Sequence, residues 1–288
     1  MRVTQSMLSN NMLRNLSDSY SKMGKLQDQL TTGKKVNRPS DDPVVAMKGI
    51  GYRTQLDKVQ QFQRNLGEAH SWLDSTDDTL DKVGSAIHRA NELMISAADG
   101  TKTPQDRAMI AEEIKQLQEH VQDLANTKIG DKFIFSGTKT DTPLSANGAI
   151  GTDAAFDKPV EFEVFDGVTV QVNTNARQLF TDMNKTFDDM LTNLDTGENL
   201  DQSIGEVQGQ LDSLLEMRAN VGARQNRVEL MENRLATQEI IATKQMSENE
   251  NIDYEEVITE MITQESVHRA ALSVGAKIIQ PTLVDFLR

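Results

Sequence analysis

No cysteine occurs in the 288 residues, which excludes disulfides and thiolate metal sites. Aromatic residues reach only 5% and hydrophobic residues 37%, where the apolar share of a compact globular enzyme usually approaches about half. A chain this poor in large apolar groups folds by building long helices with narrow seams, and its six prolines leave room for them. No run approaches the ~20 apolar residues of a bilayer span, so a soluble chain without membrane partners is expected. The start, MRVTQSMLSN, lacks the apolar core of about 7–15 residues that a cleaved secretory signal needs. There is no P-loop or GxGxxG, and His70, His88, His120 and His268 lie far apart without HExxH spacing. These absences point away from an enzyme, with no catalytic residue, metal or cofactor expected.

Charge is present but unevenly spread. Residues 1–60 hold ten Lys and Arg against five Asp, a surplus of five positive charges in a chain of net charge −14. A basic arm on an acidic body can signal nucleic-acid or membrane binding. Here the bases are scattered singly (Arg2, Arg14, Lys22, Lys25), with Lys34, Lys35 and Arg38 the only group, and no aromatic platform accompanies them. No nucleic-acid partner is expected.

What the chain does have is helical periodicity. Between residues 5 and 32, Leu16, Tyr20, Met23, Leu26 and Leu30 step by 4, 3, 3 and 4, averaging the coiled-coil period of about 3.5. Gly33 suits the left-handed residue that ends a helix. Asp42-Pro43 then reads as a restart, an Asp N-cap before a proline at N1. The next helical pattern runs from Pro43 to about Ala98, roughly 80 Å at ~1.5 Å per residue. Asp99-Gly100 breaks it, and Thr103-Pro104-Gln105-Asp106 starts a third helix, antiparallel to the second and ending near Lys128.

The middle changes period. DKFIFSG and VEFEVFDGVTVQVN alternate with period two, and Asp166-Gly167 is the signal of a type I′ hairpin turn. A small β subdomain inserted in a helical body is expected. Helix resumes near Ala176 or Arg177, breaks at Asp195-Thr196-Gly197, and continues from about Asn199 to Glu250. A last helix from near Asp253 carries Leu272, Ala276, Ile279, Leu283 and Phe286, stepping 4, 3, 4, 3, with Pro281 expected to kink it. The two terminal seams match in period, and each is too narrow to form a core alone. They are expected to pair with each other or with other copies, and to order fully only on assembly.

The fold class is therefore mainly α: an elongated helical rod with coiled-coil terminal helices and a small inserted β subdomain. The expected divisions are 1–42 with 251–288 as assembly domain, 43–130 with 176–250 as helical domain, and 131–175 as β subdomain. Asp41-Asp42 raises the question of a metal site. Nearby oxygen ligands are only Ser40 and Asn37, and an N-cap explains Asp42, so a joint is expected at Asp42 and Pro43. Asp74, Asp77, Asp78 and Asp81 read as a solvated acidic face. Trp72 and most of the thirteen methionines read as packing.

MRVTQSMLSNNMLRNL, LTTGKKVNRPSDDPVVA, KFIFSGTKTDTP and RANVGARQNRVELMENRL occur in that order, and with them the chain resembles the flagellin superfamily of bacterial flagella. PSDDP and FSGTKTDTP resemble its hook–filament junction branch, whereas the filament branch tends to carry a DDAAGLAI-like run after the first helix. The resemblance covers about two-thirds of the chain, and residues 144–175 are not diagnostic. It implies a secreted structural adaptor exported by the flagellar type III apparatus, with terminal helices assembled as coiled coils. The implied partners are hook-side junction subunits, flagellin, further copies in a ring and an export chaperone. A filament flagellin or a secreted coiled-coil adhesin is the alternative. For the polar run Arg218, Asn220, Arg224, Gln225, Asn226 and Arg227, it implies packing between helices or subunits rather than a solvated face.

Overall fold

The computed structural model describes residues 5–99, 102–146 and 148–279. Among these residues six α-helices are seen: α1 (Gln5–Thr32), α2 (Pro43–Ala98), α3 (Pro104–Ala125), α4 (Arg177–Thr196), α5 (Leu200–Glu250) and α6 (Tyr254–Ile279). Their ends follow local chemistry. Gly33 takes φ +71° after α1, and Gly197 takes φ +73° after α4, a conformation that costs a residue without Cβ little. Thr103 and Asp106 close a reciprocal capping box over Pro104. The third helix stops at Ala125 rather than near Lys128, because β1 already begins there.

By compactness the chain forms two units: residues up to Lys58 with those from Gln238 onward, and Val59–Thr237. The division falls inside α2 and α5, whereas 42/43 and 250/251 are helix ends.

In Val59–Thr237, α2 buries two interleaved series. Val59, Leu66, Leu73, Leu80, Ile87 and Met94 recur at every seventh residue, and Ala69, Thr76, Val83, Ala90 and Ala97 fill the positions between. Val207, Leu214, Val221, Val228 and Leu235 recur likewise on α5. A strict seven-residue repeat keeps one stripe facing one partner along the whole length. Arg218 reaches Asp77 and Asp81, and Gln225 reaches Asp74, so α5 runs antiparallel to α2. Asp74, Asp77 and Asp81 are thus tied across helices instead of forming only a solvated face.

The intervening segment makes three two-stranded antiparallel pairs: β1 (Lys128–Ile129) with β2 (Lys132–Phe133), β3 (Ser145–Ala146) with β4 (Ala149–Ile150), and β5 (Glu161–Phe165) with β6 (Val168–Gln171). Two strands cannot bury a face between themselves. Ile134, Phe135, Leu144, Phe156, Val164, Val170 and Val172 accordingly join the helices' core. Phe135 meets Phe180 edge-on at 5.2 Å. The β5–β6 turn departs from type I′. Gly167 has φ +73° but Asp166 does not share the positive sign, and the register shifts between Glu163 and Phe165. A bulge supplies the twist that a I′ turn would otherwise provide.

Candidate functional site

The terminal unit contains the residues singled out for assembly. Two crossings of the chain, α1 to α2 and α5 to α6, are tied side by side. The Lys35 amide donates to the Glu250 carbonyl (2.7 Å), the Ile252 amide to that of Gly33 (3.1 Å), and Lys34 and Asn251 form an antiparallel bridge. The Asn249 side chain donates to the Val45 carbonyl at 3.0 Å. Asp42 Oδ1 accepts from the amides of Val44 (2.9 Å) and Val45 (3.1 Å), and Asp41 Oδ2 from that of Arg38 (3.1 Å). Both aspartates thus spend oxygens on the backbone, the use a cap and a turn make of them.

Glu250 is the electrostatic centre of this joint. Its Oε2 receives Lys34 Nζ at 2.7 Å and Arg53 Nη2 at 2.6 Å. The Arg53 hydrogen bond first, and then the pairing with Lys34, hold the carboxyl below its ordinary range against the opposing effect of burial. Glu250 is 8% exposed, and its Oε1 has no donor. Gly49 gives it room: a Cβ there would stand 2.8 Å from Oε1.

Beyond the joint, α1 and α6 pack antiparallel. Gln264 donates to Ser19 Oγ at 2.9 Å, and His268 Nδ1 lies 3.2 Å from the same oxygen. Met12 closes against Gly275, where an added Cβ would meet Met12 Cε at 3.0 Å. On α1, Met12, Leu16, Ser19, Met23, Leu26 and Leu30 are wholly or partly covered, stepping 4, 3, 4, 3, 4. Tyr20 is therefore not a covered seam residue: it is 68% exposed, and Ser19 at 7% takes the position.

On α6 the covered series is Val257, Met261, Gln264, His268, Ala271 and Gly275. Leu272 (50% exposed) and Ala276 lie one residue beyond it and point away. The small residues Ala271 and Gly275 admit the α1 side chains, so close approach and not hydrophobicity sets the face used in this pair. Leu283, Phe286 and the Pro281 interruption lie outside the described residues, as does the Ile279 side chain.

Sequence reasoning missed Ser19, Arg53, Glu250, Gln264 and His268. A strict heptad count from Leu16 to Met23 passes through Ser19 and could have found it. Nothing local marks Glu250, whose partners lie 216 and 197 residues away. The terminal unit also leaves the large apolar side chains of Leu13, Met47, Ile50, Ile240 and Ile262 exposed.

Two family descriptions match: "Bacterial flagellin N-terminal helical region" over residues 3–140 and "Bacterial flagellin C-terminal helical region" over residues 204–287. The chain is 25% identical over 300 residues to flagellar hook-associated protein 3 of Escherichia coli (strain K12), covering 94% of this chain and 95% of that one. It is 23% identical to flagellin FlaB1 of Treponema pallidum (strain Nichols), over 75% of this chain and 74% of that one. A solved structure of a putative flagellar hook-associated protein from Vibrio parahaemolyticus superposes with TM-score 0.67 and 21% identity. It covers 73% of this chain and 100% of that one, and establishes likeness of fold.

Proposed function

Since the chain belongs to the bacterial flagellin family by both its N- and C-terminal regions, we propose that it is a structural adaptor of the flagellum, seated between hook-side junction and filament. The observation that supports this most is the match along the whole chain. The alignment with hook-associated protein 3 runs through 94% of the chain, middle included, at 25% identity, whereas a filament core protein that spans 92% of it is 21% identical. Its partners in this reading are hook-side junction subunits, flagellin, further copies in a ring, and a chaperone during export. It acts outside the cell, by packing, with no catalytic step.

Assembly would use 1–42 and 251–288, on the body formed by 43–130 with 176–250 and the β insertion 131–175. The uncovered side chains support this: Leu272 and Ala276 are free of the α1–α6 contact, Tyr20 touches it only at the edge, its ring 6.3 Å from that of His268, and with Ile279, Leu283 and Phe286 they would face neighbouring subunits. Leu16, Met23, Leu26 and Leu30 would stay within the helix pair. Asp42 and Pro43 set the angle at which the second helix leaves.

Deletion of the gene tests the reading. Cells should build hooks without filaments and release flagellin into the medium, and the intact gene should restore swimming. Filaments of normal length on the deletion strain would refute it.

A further inference from the structure

Net charge is divided unequally between the two units. The terminal unit, residues up to Lys58 with those from Gln238 onward, holds fourteen Lys and Arg and fourteen Asp and Glu, so it is formally neutral. Val59–Thr237 holds sixteen Lys and Arg against thirty Asp and Glu, so the whole of the −14 resides there. Among the described residues of that unit no Asp or Glu is buried. Its ion pairs engage carboxylates such as Glu113, Asp157, Asp77 and Asp81. Glu112, Glu119 and Asp123, on one face of α3, and Asp212, Glu229 and Glu232, on α5, are all exposed and take no part in them.

Charge held at the surface acts at long range only while salt leaves it unscreened. The screening length is about 30 Å at 0.01 M ionic strength and about 8 Å at 0.15 M. A unit whose α2 portion, Val59–Ala98, is roughly 60 Å long at ~1.5 Å per residue therefore repels a like neighbour strongly in dilute salt and weakly in concentrated salt. A net charge far from zero keeps copies apart in this way. The terminal unit has no net charge to oppose its own copy, and it exposes Ile258, Ile262, Val267 and Leu272 along α6.

We propose that the charge of Val59–Thr237 is an electrostatic brake on self-association of the chain. Copies meet through the neutral terminal unit, and the acidic unit that each copy carries with it opposes the meeting until salt screens it. The proposal rests on the reading of the chain as an assembled subunit. Charge decides which unit a second copy touches: juxtaposing like charges is costly, and only the neutral unit avoids that cost. The chain is therefore held as a monomer in dilute salt, and the brake is released as ionic strength approaches 0.15 M, where the screening length has shrunk to about 8 Å.

Sedimentation equilibrium of the full-length protein in rising NaCl tests this. The self-association constant should increase at least about tenfold between roughly 0.01 M and 0.15 M. A variant combining Glu112→Gln, Glu119→Gln, Asp123→Asn, Asp212→Asn, Glu229→Gln and Glu232→Gln lowers the charge of the unit from −14 to −8. Repulsion follows the product of the two charges, so the salt dependence should fall to about a third, with tighter association in dilute salt. Leu272→Asp, at a half-exposed position, should weaken association at every salt concentration, and circular dichroism checks that each variant is folded. No self-association at any salt, or a salt dependence that the six substitutions leave unchanged, overturns the proposal. Association undiminished by Leu272→Asp overturns the contact through the terminal unit. A response to micromolar MgCl2 that NaCl of equal ionic strength does not reproduce would mean a bound cation and overturn screening as the release. If hooks and filaments behave as proposed after gene deletion but the six substitutions do not alter the salt dependence, this inference alone falls.

Discussion

Replacing Glu250 by Gln keeps the shape of the joint and removes its charge. Two cations share one oxygen at 2.7 and 2.6 Å, and the carboxylate side chain is 9% exposed, but the Lys34 and Arg53 side chains are 43% and 55% exposed. Solvent screening therefore places each pair near the upper end of the ~0.2–1 kcal/mol measured for exposed pairs, well below the ~1.5–3 kcal/mol of a charged hydrogen bond in a dry site. The sum is about 1–2 kcal/mol at pH 7, roughly tenfold in the opening of the joint. The carboxyl is depressed in the folded chain, so its contribution is present above the unfolded value of about 4.3 and is lost as pH falls through the lower folded value. Hydrogen exchange at the Lys35 and Ile252 amides, which bond to Glu250 and Gly33 carbonyls, reads the joint directly. Glu250→Gln should exchange about tenfold faster at pH 7, and the difference should shrink as pH drops below about 4.3. Equal exchange at pH 7, or a difference that persists undiminished in acid, would refute the reasoning.

Other perturbations have equally definite outcomes. Asp42→Ala should cost about 1 kcal/mol of helix stability, with Asn or Ser nearly neutral. Thermal unfolding with and without chelator checks this, and a chelator-sensitive wild type would point to a metal ligand instead. Gly137 has φ +56°, and a Cβ there would lie 2.4 Å from the Phe156 carbonyl oxygen. Gly137→Ala should therefore destabilise the Val59–Thr237 unit by more than about 2 kcal/mol, seen as a lowered midpoint in urea. Leu80→Ala, at a fully buried position, should cost about 2–5 kcal/mol through the cavity it leaves. Tyr20→Asp should leave the helicity of the isolated chain unchanged, because the ring is exposed, yet abolish filament attachment in cells.

The helices and their ends were legible because their signals are local. Asp42-Pro43, Thr103-Pro104 with Asp106, Gly33 and Gly197 each act on backbone groups within a few residues. The seven-residue recurrence of Leu66, Leu73, Leu80 and Ile87 is present in the sequence too, but it was read there only as a helical pattern, and burial showed it to be a seam. The turn at Asp166-Gly167 was read correctly as a hairpin but not as its type, since a bulge two residues away shares in setting the twist.

Tertiary structure decided what lies against what. Sequence periodicity offered α6 a face through Leu272 and Ala276, but α1 meets the face one residue earlier, because Gly275 and Ala271 permit an approach that larger side chains forbid. Asp77 and Asp81 read as solvated acids until Arg218, 141 and 137 residues away, was brought across. Caps, breaks and repeats depend on neighbours along the chain, and the sequence alone was enough to determine them. The burial of Glu250, the choice of helix face and the pairing of Arg218 with Asp77 and Asp81 depend on neighbours in space, because desolvation and pairing act over a few ångströms regardless of how many residues lie between.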